Sequence, residues 1–262
     1  MRIKPKKSLG QNFLIDKEVI KKILTCADIK NKNILEVGPG TGNLTSEILK
    51  NNPKELILIE KDYHLLDLLK KRYTQNIKFI SDDILNISEN KLSSNKLTVF
   101  GNLPYNISTE ILIKWILNLN SNLWFDKLIL LFQKEVADRI TSDSNTSNYG
   151  RLSIISNWRL NVKKIIDVKP SSFKPKPKVE STLLLFTPKI KFFKLKNSES
   201  IEDVTRIFFN QKRKKIKKPL KKLFKNSDQI AKKLNLNLDL RPQNLDFQTY
   251  YLLAKELEDL RS

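Results

Sequence analysis

Apolar positions along this chain change their period several times, and the changes mark out its elements. Asp16 stands where a helix N-cap is expected, and Val19, Ile20, Ile23 and Leu24 follow at helical spacing. From Asn33 to Val37 (NILEV) the pattern becomes a continuous apolar run, read as a buried strand. It runs into Gly38-Pro39-Gly40-Thr41-Gly42, and helical spacing resumes from Leu44 to Leu49. Glu55 to Ile59 (ELILI) predicts a second strand ending at Glu60, with a helix to about Tyr73. Ile77 to Ile80 predicts a third, ending in Ser81-Asp82-Asp83. Leu97 to Phe100 (LTVF) predicts a fourth, ending in Gly101-Asn102-Leu103-Pro104-Tyr105. A helix over Thr109–Leu119, a strand over Leu128–Phe132, a helix over Gln133–Ile140 and a late strand over Ser181–Phe186 complete the alternation. Strands alternating with helices predict an α/β fold with a doubly wound, mostly parallel sheet. The character shifts near Pro188, and from Ile201 onward the spacing is helical. The expected organisation is an α/β domain over residues 1–187 and a small all-helical domain over 188–262.

Charge narrows the partners. The net charge is +21, and 40 Lys stand beside 9 Arg. The stretch from Asn210 to Asn226 carries nine Lys or Arg and no acid. A fixed positive field of this size suits a polyanion, with nucleic acid ahead of an anionic membrane surface. A membrane-surface segment would need exposed large apolar side chains. Leu220, Leu223 and Phe224 are expected to pack on the first domain instead. No window reaches the roughly 18–20 apolar residues of a membrane span. The basic start has no apolar stretch after it, so a secretory signal is not read there, the first few residues are expected to be disordered, and a cytoplasmic protein is expected.

With one cysteine (Cys26) and one histidine (His64), disulfides and a protein zinc site are not expected. A Ser/His/Asp triad would have to use His64, which sits in a helical pattern and reads as a partly exposed helix residue.

The candidate chemistry lies after the strands, where open α/β sheets bind ligands. The turn from Gly38 to Gly42 lets backbone approach a ligand that a Cβ would block. Its spacing is neither that of a dinucleotide fingerprint nor that of a P-loop. Glu60 is placed to accept both ribose hydroxyls of an adenosine, and Asp83 to accept from an adenine amine. A glycine turn, an acid and an acid on three consecutive strand ends favour a cofactor containing adenosine. Asn102-Leu103-Pro104-Tyr105 then suggests the reaction. An adenine amine is a poor nucleophile because its lone pair is delocalised into the ring. The Asn102 side-chain oxygen and the Leu103 carbonyl can accept from its two hydrogens and aim the lone pair at a methyl sulfonium. Pro104 stiffens the turn, and Tyr105 can stack on a base that has left its helix. This is positioning and electrostatic catalysis without a strong general base.

Nearly the whole chain resembles the small-subunit ribosomal RNA adenine N6,N6-dimethyltransferases. The segments that carry the likeness are GQNFLID, LEVGPGTGNLT, FGNLPYNIST, LFQKEVADRI, YGRLSIIS, PSSFKPKPKVEST and FFNQKRKK, in matching order and spacing. The resemblance implies S-adenosylmethionine bound by Asn12, Leu14, Gly38, Glu60, Asp83 and Asn102, with Gly40 in the same turn. It implies that Tyr105 and Phe173 sandwich the target adenine. It implies a monomer that acts on small-subunit ribosomal RNA, two methyls per adenine, late in subunit assembly. The Lys-heavy surface and the compact tail depart from the relatives, and Lys reads phosphate less directionally than Arg. Three other readings share parts of this pattern: a large-subunit rRNA adenine dimethyltransferase, a DNA adenine methyltransferase, and an assembly factor whose binding outweighs its catalysis. YGRLS and NQKRKK favour the small subunit. The short tail is small for a DNA-reading domain, and the intact Gly38/Asn102/Tyr105 set favours catalysis.

Overall fold

The buried apolar runs become the centre of one sheet. The structure is a computed structural model that describes residues 5–6, 9–74, 77–119 and 123–261; the chain's first residues, expected to be disordered, lie outside these. The elements follow in order: β1 (Phe13–Leu14), α1 (Lys17–Leu24), β2 (Asn33–Val37), α2 (Asn43–Lys50), β3 (Glu55–Glu60), α3 (Tyr63–Arg72), β4 (Ile77–Ser81) and β5 (Leu97–Gly101). Then come α4 (Ser108–Leu117), β6 (Phe125–Gln133), α5 (Lys134–Ile140), α6 (Arg151–Arg159), β7 (Leu160–Val168), β8 (Phe173–Lys174) and β9 (Ser181–Pro188). Helices α7 (Glu199–Phe209), α8 (Lys217–Leu223), α9 (Ser227–Lys233) and α10 (Phe247–Arg261) close the chain.

Seven strands pair in the order β4-β3-β2-β5-β6-β9-β7. The first five are mutually parallel, and β9 runs antiparallel to β6. This is the mostly parallel, helix-flanked sheet expected. Ile34, Leu35, Ile57, Leu58 and Val99 are fully buried, as strands covered on both faces require. The Asp16 side chain caps α1 by accepting from the main-chain N–H groups of Glu18 and Val19, and Ile20 and Ile23 face the core. Chain order reverses at β2, which has β3 on one side and β5 on the other. Such a switch opens a crevice beyond the strand carboxyl ends.

Two elements depart from the sequence reading, which placed nothing at α6 and β7. β7 ends the sheet, with Asn161, Lys163, Lys164 and Asp167 exposed. A strand at an edge shows no continuous apolar run, and LNVKKIIDV has neither a clean twofold nor a helical period. A second sheet of β1 and β8 pairs Leu14 with Phe173. Pairing between segments so far apart leaves no local pattern.

The chain packs as two compact units. One takes the described residues through Lys114, those of Leu119–Ala137, and Lys163–Pro188; the other takes Trp115–Asn118, Asp138–Val162 and the chain from Lys189. The second unit is therefore wider than the 188–262 expected, because α6 belongs to it. Ile154, Ile155 and Trp158 of α6 are buried, the Trp158 indole donates to the Phe193 carbonyl at 2.8 Å, and the Tyr251 hydroxyl donates to the Ile154 carbonyl at 3.3 Å. Leu220 and Phe224 are buried, and α8 packs on α7 and α9 within this unit. Among the described residues no helix is long and apolar enough to cross a membrane.

Candidate active site

Beyond the carboxyl ends of the parallel strands lies an open cleft. Gly38, Gly40, Glu60, Asp83 and the Asn102–Tyr105 turn all line it, and so does Asn12. The sheet register explains why. Val37 and Gly101 are partners across β2 and β5, so the residues after them, Gly38 and Asn102, leave the sheet side by side. The Gly38 N–H donates to the Ile59 carbonyl at 2.9 Å, which ties the glycine turn to the end of β3.

Gly40 has to be glycine. Its φ is +56°, a left-handed value that costs other residues, and a Cβ there would lie 2.8 Å from the Phe13 ring. Glu60 is buried, and its two oxygens are both held. Oε2 accepts from the Gly40 N–H at 3.1 Å and Oε1 from the Asp62 N–H at 2.9 Å. Burial raises its pKa against the pull of those two donors. Asp83 Oδ2 accepts from Lys61 Nζ at 2.7 Å and Oδ1 from the Leu85 N–H at 3.0 Å. Burial works to raise its pKa, but Lys61 and the Leu85 N–H prevail and hold it below the usual carboxylate value. Both acids keep lone pairs for a ligand, since each oxygen has taken one donor.

Beneath them sits a third acid. Glu36 of β2 is buried and accepts from the Thr45 hydroxyl at 2.7 Å. Desolvation, reinforced by the Glu60 charge and partly offset by Thr45, pushes its pKa up to about 8. At neutral pH it is a neutral acid under the glycine turn.

Asn102 Nδ2 donates to the Asn12 carbonyl at 2.7 Å. An amide held by its nitrogen presents its oxygen on the other side, and no described residue donates to Asn102 Oδ1 or to the Leu103 carbonyl. The turn is braced by the Ile107 N–H donating to the Pro104 carbonyl at 3.1 Å. The Tyr105 hydroxyl shares a 2.5 Å hydrogen bond with Ser181 Oγ at the start of β9. Burial raises the phenol's pKa, so it stays neutral.

Two residues implied by the resemblance have buried side chains. Phe173 is 1% exposed, lies in the core with Leu14, Val168 and Leu183, and does not line the cleft. Its main chain pairs with Leu14, which turns its ring inward. Of the two residues expected to sandwich the target adenine, Tyr105 lines the cleft and the Phe173 side chain packs in the core. The Leu14 side chain is likewise core, 5% exposed, and its carbonyl accepts from Asn43 Nδ2 at 2.7 Å. The sequence reading missed Gln11, Asp62 and Ser181. Gln11 and Ser181 lay inside quoted motifs, GQNFLID and PSSFKPKPKVEST, and Asp62 stood at a helix cap two residues past Glu60. None carried a signal of what it touches.

A family model described as Ribosomal RNA adenine dimethylase matches residues 2–259. A Ribosomal RNA small subunit methyltransferase A of Pelagibacter ubique (strain HTCC1062) is 61% identical over 261 residues, covering 100% of both chains. One of Wolbachia sp. subsp. Drosophila simulans (strain wRi) is 40% identical, covering 98% of this chain and 95% of its own. Among solved structures, a dimethyladenosine transferase from Plasmodium falciparum superposes with a TM-score of 0.75 at 29% identity, over 92% of this chain and 95% of that one. The 23S rRNA methyltransferase ErmE superposes with a TM-score of 0.68 at 22% identity, over 95% of this chain and 100% of that one, and shares the fold.

Proposed function

The chain belongs to the ribosomal RNA adenine dimethylase family, and from that premise we propose how its cleft methylates the N6 amine of adenines in small-subunit ribosomal RNA. S-adenosylmethionine, the expected donor, supplies an electrophilic methyl on a sulfonium when bound. The cleft suits it on two grounds. Gly38 and Gly40 line the cleft with bare backbone, and Glu60 is a buried acid already oriented by two N–H groups. Glu60 takes the ribose hydroxyls and Asp83 the adenine amine of the cofactor.

The chain's own work on the substrate is positional. Asn102 Oδ1 and the Leu103 carbonyl accept from the two hydrogens of the target amine, which localises its lone pair. As the nitrogen gains positive charge its hydrogens become stronger donors, so these two acceptors stabilise the transition state more than the ground state. Tyr105, fixed through Ser181, offers its ring to the flipped base. The carrying observation is the Asn102–Asn12 hydrogen bond at the switch point, which leaves the accepting oxygen free.

Exposed Arg213, Lys214, Lys217, Lys218, Lys221, Lys222 and Lys225 lie along and beside α8 and are assigned to RNA phosphates. The proposal extends to a cytoplasmic monomer that meets the immature small subunit late in assembly; the family likeness supports that part. The test is mass spectrometry or primer extension on small- and large-subunit rRNA after incubation with protein and S-adenosylmethionine. Dimethyladenine in the small-subunit RNA alone is expected, and its appearance only in the large-subunit RNA would overturn the reading.

A further inference from the structure

Asp62 is a buried acid that the reaction as described does not use. Its side chain is 3% exposed, and burying a carboxylate is costly unless it is paired and hydrogen-bonded. It caps α3 by accepting from the His64 N–H at 3.1 Å. Capping alone needs only a surface Asp or Asn. The other two donors come from 56 and 51 positions away: Lys6 Nζ at 2.8 Å on Oδ1 and Gln11 Nε2 at 3.0 Å on Oδ2. Gln11 is gripped at its other end too, where its Oε1 accepts from the Lys6 main-chain N–H at 2.7 Å.

These contacts bracket the reaction centre. On one side, the Asp62 N–H donates to Glu60 Oε1 at 2.9 Å. On the other, the residue after Gln11 is Asn12, whose carbonyl orients the Asn102 amide at 2.7 Å. Leu9, Gly10, Gln11, Asn12 and Phe13 all line the cleft.

We propose that Asp62 is a positioning residue: it latches the arm of residues 9–14 along the cleft wall and so holds Asn102 in its accepting orientation. The inference rests on the role given above to Asn102. With the latch open, Asn12 moves and the Asn102 amide nitrogen loses the carbonyl that anchors it, so the accepting oxygen is no longer fixed. Burial works against the charged form of Asp62, yet the Lys6 and Gln11 donors hold its pKa below the usual value, so the latch stays charged at neutral pH.

Two variants open the latch by different routes. Asp62→Asn keeps the helix cap and the N–H to Glu60 but removes the charge. Lys6→Met with Gln11→Ala leaves Asp62 and its cap untouched. Single-turnover methylation at saturating S-adenosylmethionine and rRNA should fall roughly tenfold or more in both, because misplacing a positioning group acts on the rate itself. Combining the variants should add little, and Lys6→Arg should restore near wild-type rate. Hydrogen exchange of the amides of residues 9–15, measured without RNA, should quicken in both. Unchanged exchange overturns the latch, whatever the catalytic result. Faster exchange with an unchanged saturated rate, only cofactor affinity having dropped, overturns the link to Asn102 and makes the arm a plain cofactor cover. Additive losses that follow melting temperature reduce Asp62 to a helix cap. A wild-type protein that leaves rRNA unmethylated counts against the functional reading instead, and the exchange result stands apart from it.

Discussion

Glu60 Oε2 accepts the Gly40 main-chain N–H at 3.1 Å, which joins the acid at the end of β3 to the turn after β2. The bond fixes the turn and aims the acid together. A ligand that uses both therefore meets a site organised before it arrives, and spends little on ordering it.

Glu60→Gln is expected to weaken S-adenosylmethionine binding. The amide keeps one accepting oxygen for Gly40 or Asp62, so the turn survives better than with Ala. It loses the charge-assisted contact to the ribose hydroxyls, a loss of about 1.5–3 kcal/mol. Titration calorimetry should show the dissociation constant rising roughly tenfold to a hundredfold. An unchanged constant in a folded variant would remove Glu60 from the cofactor site.

Glu36 makes stability depend on pH. Its folded pKa, about 8, lies above the ordinary 4.5. Its contribution is therefore fully present below pH 4.5 and declines as pH rises towards 8, because the folded state binds the extra proton over that window. Glu36→Gln keeps an acceptor for Thr45 and cannot ionise. Between pH 5 and 8 the wild type should lose about a few kcal/mol relative to this variant, and the gap should level off above that. Parallel melting curves across the range would show that Glu36 does not titrate as the burial implies.

How much of this was legible depends on the distance over which each feature acts. β2, β3 and β5 are covered on both faces, so their apolar runs, and the glycine turn, Glu60 and Asn102 at their ends, could be read in place. Edge strand β7 was not, since its exposed Lys163, Lys164 and Asp167 break the pattern. The roles of Leu14 and Phe173 came from the family resemblance alone, and no local pattern showed that their backbones pair and that both side chains lie in the core. Asp62 looked like an ordinary helix cap, and only the fold brings Lys6 and Gln11 to it.

The α8 region should carry much of the salt dependence of RNA binding. Ile216, Leu220 and Phe224 are buried, which leaves the lysines on the outer face. Not every cation in the run is free, however. Lys212 donates to the Ser147 carbonyl and Lys215 pairs with Asp239 at 2.7 Å. Changing Lys217, Lys218, Lys221 and Lys222 together to Gln should weaken binding to all RNA sequences alike. It should flatten the slope of log affinity against log salt by up to about 0.7–0.9 for each phosphate that the variant no longer neutralises. The same four changes with the slope intact would mean that this face is merely solvated.

Asn102→Ala is expected to abolish methyl transfer while RNA binding stays nearly intact. The substitution removes the accepting oxygen and also the donor to the Asn12 carbonyl. Loss of one preorganised partner for a charge that develops in the transition state costs on the order of a hundredfold or more in rate. RNA affinity should persist, because the phosphate contacts assigned to the α8 lysines do not involve this turn. Some cofactor affinity should go as well, since Asn102 stands beside Gly38 where β2 and β5 end. The measurement is therefore single-turnover methylation at saturating S-adenosylmethionine, with an RNA-binding titration alongside. A conservative partner, Asn102→Asp, separates the two functions of the amide. It keeps accepting oxygens but cannot donate to Asn12, so a rate as low as that of Ala would show that orientation through Asn12 matters as much as the acceptor. A near wild-type rate in Asn102→Ala would make the residue a turn former only, and the mechanism would fail even with the family assignment intact.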